Sequence, residues 1–381
     1  MTPVWYNVIV KDFFLPLKGG GRENIMFKEK YADTLNEYEK FWERTNTGRP
    51  ILNLGYYVPG SRRYRGPENL HEQWLDVDYR YTAYKQNLLT RGDLAEGIPM
   101  MFTNFGPGCL SACIGGSYEF TPRTVWFDRK PIIDDFDNPP DIKFDEQSEM
   151  WQNVVKLQNK FMEDPDVHFS IPDLGGIMDI VASLRTTEPL LYDLYDYPEE
   201  LKAFSSKVTD IWLKVFDMQV ETMKANNQPF NNWMNIPSSK PWYPIQCDFA
   251  YMISPAQFEE FILPDLVRQV EHMPRSIYHL DGVGEIPHVD MLLDIPGLTG
   301  IQWTAGDGNE PLISEKWFPL YKKIQDKGKN LVLLGPINDK NIDQAEPLIK
   351  SLDPTGVYMS IGCGSKESAE MVLEKITRWS E

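Results

Sequence analysis

The sequence predicts an α/β protein: a (β/α)8 TIM-type barrel with an N-terminal helical extension and loop insertions. Three observations predict it. Eight short, β-prone apolar runs recur along 381 residues, longer amphipathic stretches separate them, and the runs are almost continuously apolar rather than alternating. Strand-then-helix repetition with strands apolar on both faces describes a parallel sheet covered by helices. Eight such units make a barrel. An open doubly wound sheet is the alternative, but no G-x-G-x-x-G follows an early strand.

Residues 1–48 are expected to form an extension packed on the barrel, which then occupies 49–381. In the extension, a turn at Gly19, Gly20 and Gly21 precedes a helix from about Phe27 to Arg44, with Phe27, Tyr31, Leu35, Tyr38 and Phe41 on one face. The eight runs fall at 51–54, 99–102, 168–171, 244–247, 276–279, 300–303, 331–334 and 357–360. Helix starts are punctuated. Ser254-Pro255 opens a helix over 256–270, and Ser365 opens one over 366–378. Two insertions read as loops: about 104–166, with the acidic PIIDDFDNPPDIKFDE, and 224–243, with Asn226-Asn227-Gln228-Pro229.

Composition removes several function classes. With 56 acidic against 38 basic residues the formal charge is −18, the wrong sign for nucleic acid or an anionic membrane. No run approaches the ~18 apolar residues of a membrane span, and the opening MTPVWYNVIVKDFF lacks the pattern of a signal peptide, so a cytoplasmic protein is expected. Cys109, Cys113, Cys247 and Cys363 are too few and too scattered for a disulfide framework. A nucleophile elbow G-x-S-x-G is missing, and the three glycines lack the Lys-Ser/Thr of a phosphate loop.

Barrel active sites lie at the C-terminal ends of the strands. The reactive residues there are Tyr56, Asn104, Asp173, Cys247, Asp248, His279, Asp281, Gln302 and Cys363. Tyr278-His279-Leu280-Asp281-Gly282 stands out, joined by Gly362-Cys363-Gly364 at the last strand. Residues two apart on a strand point the same way, so His279 and Asp281 face one point. An imidazole, a carboxylate and a thiolate meeting there suit zinc, with Cys247 as a further ligand or a packing residue. A hydrogen-bonded structural His–Asp pair accounts for the same spacing. Asp248 and Asp281 with Trp242 and Trp303 also resemble a sugar site.

The stretch Pro172-Asp173-Leu174-Gly175-Gly176-Ile177-Met178-Asp179-Ile180, then Leu184-Arg185-Thr186-Thr187-Glu188 and Leu191–Glu200, resembles the uroporphyrinogen decarboxylase superfamily, as does Ile245-Gln246-Cys247-Asp248 running into Ile253-Ser254-Pro255. The likeness covers roughly residues 50–381 and implies a distorted (β/α)8 barrel. Met101-Phe102-Thr103-Asn104 lacks the acid that true decarboxylases carry at the second strand, and Gln302-Trp303 replaces an acid in the sixth. The cobamide-dependent methyltransferase branch is closer. Its zinc motif is His-x-Cys followed later by Cys, and here His279-Leu280-Asp281 and Cys363 match in two of three positions. The resemblance implies a zinc-dependent enzyme moving a methyl group between a small thiol or methoxy substrate and a methyl-cobamide carried by a separate corrinoid protein, with a homodimer among the expected assemblies. Losing one thiolate leans toward demethylation, because a more electropositive zinc better stabilises a leaving alkoxide. Tyr56, Tyr57, Tyr278, Trp242 and Trp303, with Asn104, Asp173, Asp248 and Gln302, would then line the substrate pocket, and core packing explains the aromatics as well. Arg62, Arg63 and Arg65 would read a substrate carboxylate or the corrinoid partner, or lie in a solvated loop. The alternatives are a carboxy-lyase on another substrate and a non-catalytic barrel holding a small ligand or tetrapyrrole.

Overall fold

The computed structural model describes residues 31–128, 130–165 and 167–381. The expected Gly19–Gly21 turn and the first residues of the helix after it lie outside the described residues. Strands are β1 (Ile51–Tyr57), β2 (Arg91–Ala95), β3 (Glu119–Phe120), β4 (Val125–Trp126), β5 (Trp242–Gln246), β6 (Arg275–Asp281), β7 (Gly300–Thr304), β8 (Asn330–Asn338) and β9 (Val357–Cys363). Seven of them form one sheet in the order β2-β1-β9-β8-β7-β6-β5, with β3 and β4 as a separate hairpin. From β5 to β9 and on to β1, neighbours are parallel and follow chain order. Continuous burial along β5 and most of β6 and β7 matches their unbroken apolar sequences.

The fold is α/β and its sheet mostly parallel, compatible with the expected barrel, but the sheet does not close by hydrogen bonds among the described residues, and two local causes explain the gap. The runs at 99–102 and 168–171 meet only through a single parallel bridge, Met101 to Phe169. On one side, β2 folds back antiparallel and takes the edge of β1 that residues 99–102 would need. On the other, the insertion after Ala225 occupies the gap before β5: Ile171 N–H donates to the Asn231 carbonyl, while Phe230 and Ser238 bond to one another. Asn235, held at φ 53°, donates to the Ile98 carbonyl and accepts the Tyr358 hydroxyl on its own carbonyl. Nothing in the sequence of β2, RGDLA, has strand propensity.

Helix α1 (Tyr31–Trp42) covers the N-terminal ends of the strands. Tyr38 and Phe41 are fully buried and their rings pack near Tyr358, at 5.9 and 6.1 Å, while Trp42 meets Trp242 edge-on at 4.8 Å. Burying each such ring contributes about 1.5–3 kcal/mol. The helix is also bonded in place: Trp42 Nε1 donates to the Pro237 carbonyl, Asn330 donates to the Phe41 carbonyl, and Arg275 reaches Glu39 and Glu43. The helix starts expected at Ser254 and Ser365 are present, each with a reciprocal capping box. The first continues through a π-helical turn at Phe258–Ile262 into Leu263–His272.

Candidate functional site

The pleat of β6 sets the site. Register runs from Gln246 on β5 to His279 on β6, Gln302 on β7, Val332 on β8 and Tyr358 on β9, and one layer higher from Asp281 to Thr304. His279 and Asp281 therefore share the inner face, as their spacing requires. Asp248 follows β5 at the start of a 3-10 turn and joins them. One ligand atom from each of Asp248, His279 and Asp281 lies within 4.8 Å of the others. His279 Nε2 stands 3.8 Å from Asp281 Oδ2.

The imidazole is oriented from behind. His279 Nδ1 donates to Gln302 Oε1, and Gln302 fixes its own amide by donating from Nε2 to Thr304 Oγ1 at 2.8 Å. With Nδ1 directed at Gln302, Nε2 faces the two carboxylates, where it can ligate a cation once that nitrogen carries no proton. The Trp233 ring meets His279 edge-on at 5.1 Å and 84°, restraining ring rotation. Two openings flank Asp248. One, of about 250 Å³, is bounded by Pro107, Phe127, Asp179, Gln246 and Phe249; the other, of about 300 Å³, by Tyr251, Asp281, Asp307 and Asn309.

Below this cluster lie carboxyls that burial pushes toward their neutral forms. Asp173, accepting from Gly175 N–H at 2.9 Å and near the Tyr243 hydroxyl, is raised to about 6 by burial, with the Asp248 charge adding. Burial also raises Asp179, and Asp248 adds to it, although Asp179 accepts the N–H groups of Asp248 and Phe249 at 3.0 and 2.9 Å. Asp248 reaches solvent, yet the protein on its inner side desolvates its carboxyl and raises it, with Asp281 adding and His279 opposing. Gly176 permits this close packing: a Cβ there would collide with the Gln246 carbonyl and the Asp179 carboxyl.

Glu285 is the most displaced. Burial raises it to about 9 while it accepts from the Tyr278 hydroxyl at 2.8 Å and the Asp281 N–H at 3.2 Å. The folded chain keeps a proton that the unfolded chain releases above about 4.5, so Glu285 subtracts stability as pH rises from about 4.5 toward 9. Glu285→Gln keeps the shape and cannot ionise. Its stability advantage over wild type in urea denaturation is expected to grow by on the order of 3 kcal/mol between about pH 4.5 and about pH 7. An advantage constant with pH would show that Glu285 is ionised in the fold.

Other expected residues fall elsewhere. Cys363 is not part of the acid–imidazole cluster. Gly362 faces the open interior, where a Cβ would meet nothing within 4 Å, and the next residue turns to the opposite face with Ile361 and Met359. Cys363 is buried there, and burial, with the Asp339 charge adding, raises its thiol to about 11. Cys247 is fully buried and its thiol is driven well above the ordinary range by burial, and neither thiol lies in the Asp248–His279–Asp281 group. Tyr278 and Trp303 also belong to the helix-facing side of the sheet, Trp303 meeting Trp317 at 5.1 Å. Trp242 sits at the opposite end of the strands, bonded to the Phe230 carbonyl. The Tyr56 ring lies against Gly92, so closely that a Cβ there would collide with it. None of these four aromatics lines the openings beside Asp248. Asn104 turns inward on its own loop, accepting Gly106 N–H at 2.9 Å. Arg65 is taken by Glu72, and Arg62 and Arg63 are exposed.

Asp179, Glu285 and Trp233 escaped the sequence reading. Asp179 lay within the Pro172–Ile180 stretch but well past the end of the 168–171 run, inside the helix Ile177–Arg185, and Glu285 is four residues beyond Asp281.

No protein-family model matches the sequence, and no curated protein does. Among solved structures, the fold is similar to that of a methyltransferase from Methanosarcina mazei, with a TM-score of 0.58, 13% identity, and coverage of 91% of this chain and 99% of that one. Among the described residues, no helix is long and apolar enough to cross a membrane.

Proposed function

We propose that the protein is a metal-dependent methyltransferase of the uroporphyrinogen decarboxylase-like superfamily, built on an opened (β/α)8 barrel, which moves a methyl group between a small thiol or methoxy substrate and a corrinoid protein. The observation that carries it is the oriented donor set: His279 Nε2, freed by the Gln302 bond, with the Asp248 and Asp281 carboxylates around it. One nitrogen and two oxygens fit a divalent ion such as zinc with a position left open. The fold of the Methanosarcina mazei methyltransferase supports the reaction class.

Zinc bound there would supply Lewis-acid stabilisation of an anionic substrate oxygen or sulfur. The chain's own residues do the rest. Asp248, His279 and Asp281 would hold the ion beside the two openings; Gln302 and Trp233 fix the imidazole; Asp173, raised to about 6, can exchange a proton near the site at mildly acid pH. In the demethylating direction a corrinoid partner would supply the nucleophile for the methyl carbon, the bonding electron pair would stay on oxygen, and the proton that neutralises it would come from Asp173 or solvent.

The reading is tested with zinc-loaded protein, reduced cobalamin and a set of methoxy and thioether donors. Methylated cobalamin forming only with zinc supports it; carbon dioxide release from a carboxylated substrate without metal would favour a carboxy-lyase. Two variants separate the ligands from their neighbours. Gln302→Leu is expected to weaken zinc binding about 10–100-fold with the fold retained, the usual cost of losing the group behind a ligating histidine. Cys363→Ala is expected to leave zinc content unchanged, and zinc lost with that thiol would place it among the ligands.

A further inference from the structure

Two arginines are fully buried among the described residues, Arg80 and Arg275. Arg275 meets the carboxylates of Glu39 and Glu43. Arg80, 4% exposed on the helix Val77–Leu89, meets no carboxylate among the described residues. It donates to the carbonyls of Trp74 and Asn104 at 2.7 and 2.5 Å, lies over the Phe105 ring at 4.4 Å, and has the Tyr84 phenol beside it. These partners are neutral. They satisfy some of its five donors and leave its charge uncompensated, the arrangement that costs most in a protein interior.

Arg80 also lines a cavity of about 700 Å³, the size of a small-molecule site. Trp74, Tyr79, Tyr84 and Leu70 supply apolar walls, and Asn69 and Asn87 supply amides. The one carboxylate on its lining, Glu68, is at the exposed rim beside Arg65. No residue of this cavity belongs to the Asp248 cluster or to the openings beside it.

We propose that this cavity is a second binding site, which takes a small organic carboxylate with an apolar body, its anionic end paired with Arg80 and its body against Trp74 and the two tyrosines. A carboxylate accepts two parallel bonds from a guanidinium fork, and an aromatic or aliphatic body suits walls that a bare inorganic anion would leave unused. The site stands apart from the methyl-transfer reading and does not depend on it.

The test is isothermal titration of the full chain with benzoate, its neutral isostere benzamide, and inorganic phosphate. Benzoate is expected to bind saturably, and benzamide at least about 10-fold more weakly, the difference a charge-assisted hydrogen bond makes. Arg80→Gln should abolish benzoate binding. Because that change also removes two backbone bonds, Ala83→Trp, which fills the cavity without touching the guanidinium, should abolish it independently. Asp281→Asn should leave it intact. No saturable binding up to ~10 mM benzoate, a weaker affinity than any functional site of this size would show, overturns the proposal. Binding unchanged in Ala83→Trp, or phosphate bound in preference to benzoate, overturns it equally.

Discussion

His279→Ala is expected to strip the protein of its metal. The imidazole is the only nitrogen donor in the Asp248–His279–Asp281 cluster, and its lone pair is aimed by two successive side-chain bonds, through Gln302 to Thr304. Removing it leaves two carboxylates, one of them exposed to solvent, and burial already disfavours the ionised form of Asp248. The loss in affinity should exceed the ~10–100-fold cost of disturbing a supporting residue, and methyl transfer should fall with it. Asp281→Asn should act in the same direction and less completely, because the amide oxygen still offers a neutral ligand. Metal analysis of identically purified proteins reads both. A His279→Ala variant that retains stoichiometric zinc would remove the imidazole from the site.

Arg275→Ala carries the largest expected effect on stability, about 3 kcal/mol lost, toward the lower end for breaking a buried ion pair because Glu43 is half exposed. The guanidinium grips both oxygens of Glu39 at 3.0 and 2.7 Å, reaches Glu43 at 2.7 Å and Ser238 Oγ at 2.8 Å, and covers the Trp42 ring at 5.2 Å. It thereby ties α1 to the foot of β6 and to the loop that fills the gap in the sheet. Truncation leaves the two glutamates facing each other and uncovers the Trp42–Trp242 contact. Urea denaturation measures the loss; a change within the ~0.5 kcal/mol of ordinary surface substitutions would show that α1 is held by its apolar face alone.

Much of the fold was legible because buried parallel strands are written as continuous apolar runs, and six of the eight expected runs are strands paired side by side. Ser254 and Ser365 were legible as helix starts because a cap is a local bond between a side chain and a backbone three residues away. The opening of the sheet was not. It depends on β2, a short polar return with no propensity signal, and on where the 224–243 insertion lands, which is a tertiary matter.

The same division holds at the site. Two-residue spacing placed His279 and Asp281 on one face without any knowledge of their neighbours. Cys363 depended on the parity of a different strand: β9 pairs regularly with β1 as far as Tyr56 and Cys363, so alternation sets Cys363 on the face opposite Gly362, which strand-end position alone did not reveal. Asp248 and Gln302 were found at strand ends, but their roles came from geometry: the first faces the imidazole, the second holds it. Arg80 carries no motif, and only its burial without a carboxylate marks it.

The most direct test of the central claim is X-ray absorption at the zinc edge of the stoichiometrically loaded protein. The Asp248–His279–Asp281 site predicts a first shell of nitrogen and oxygen alone, at about 2.0–2.2 Å. A sulfur scatterer at about 2.3 Å would contradict it, because it would bring into the shell a cysteine thiol that the structure places on the far face of the sheet.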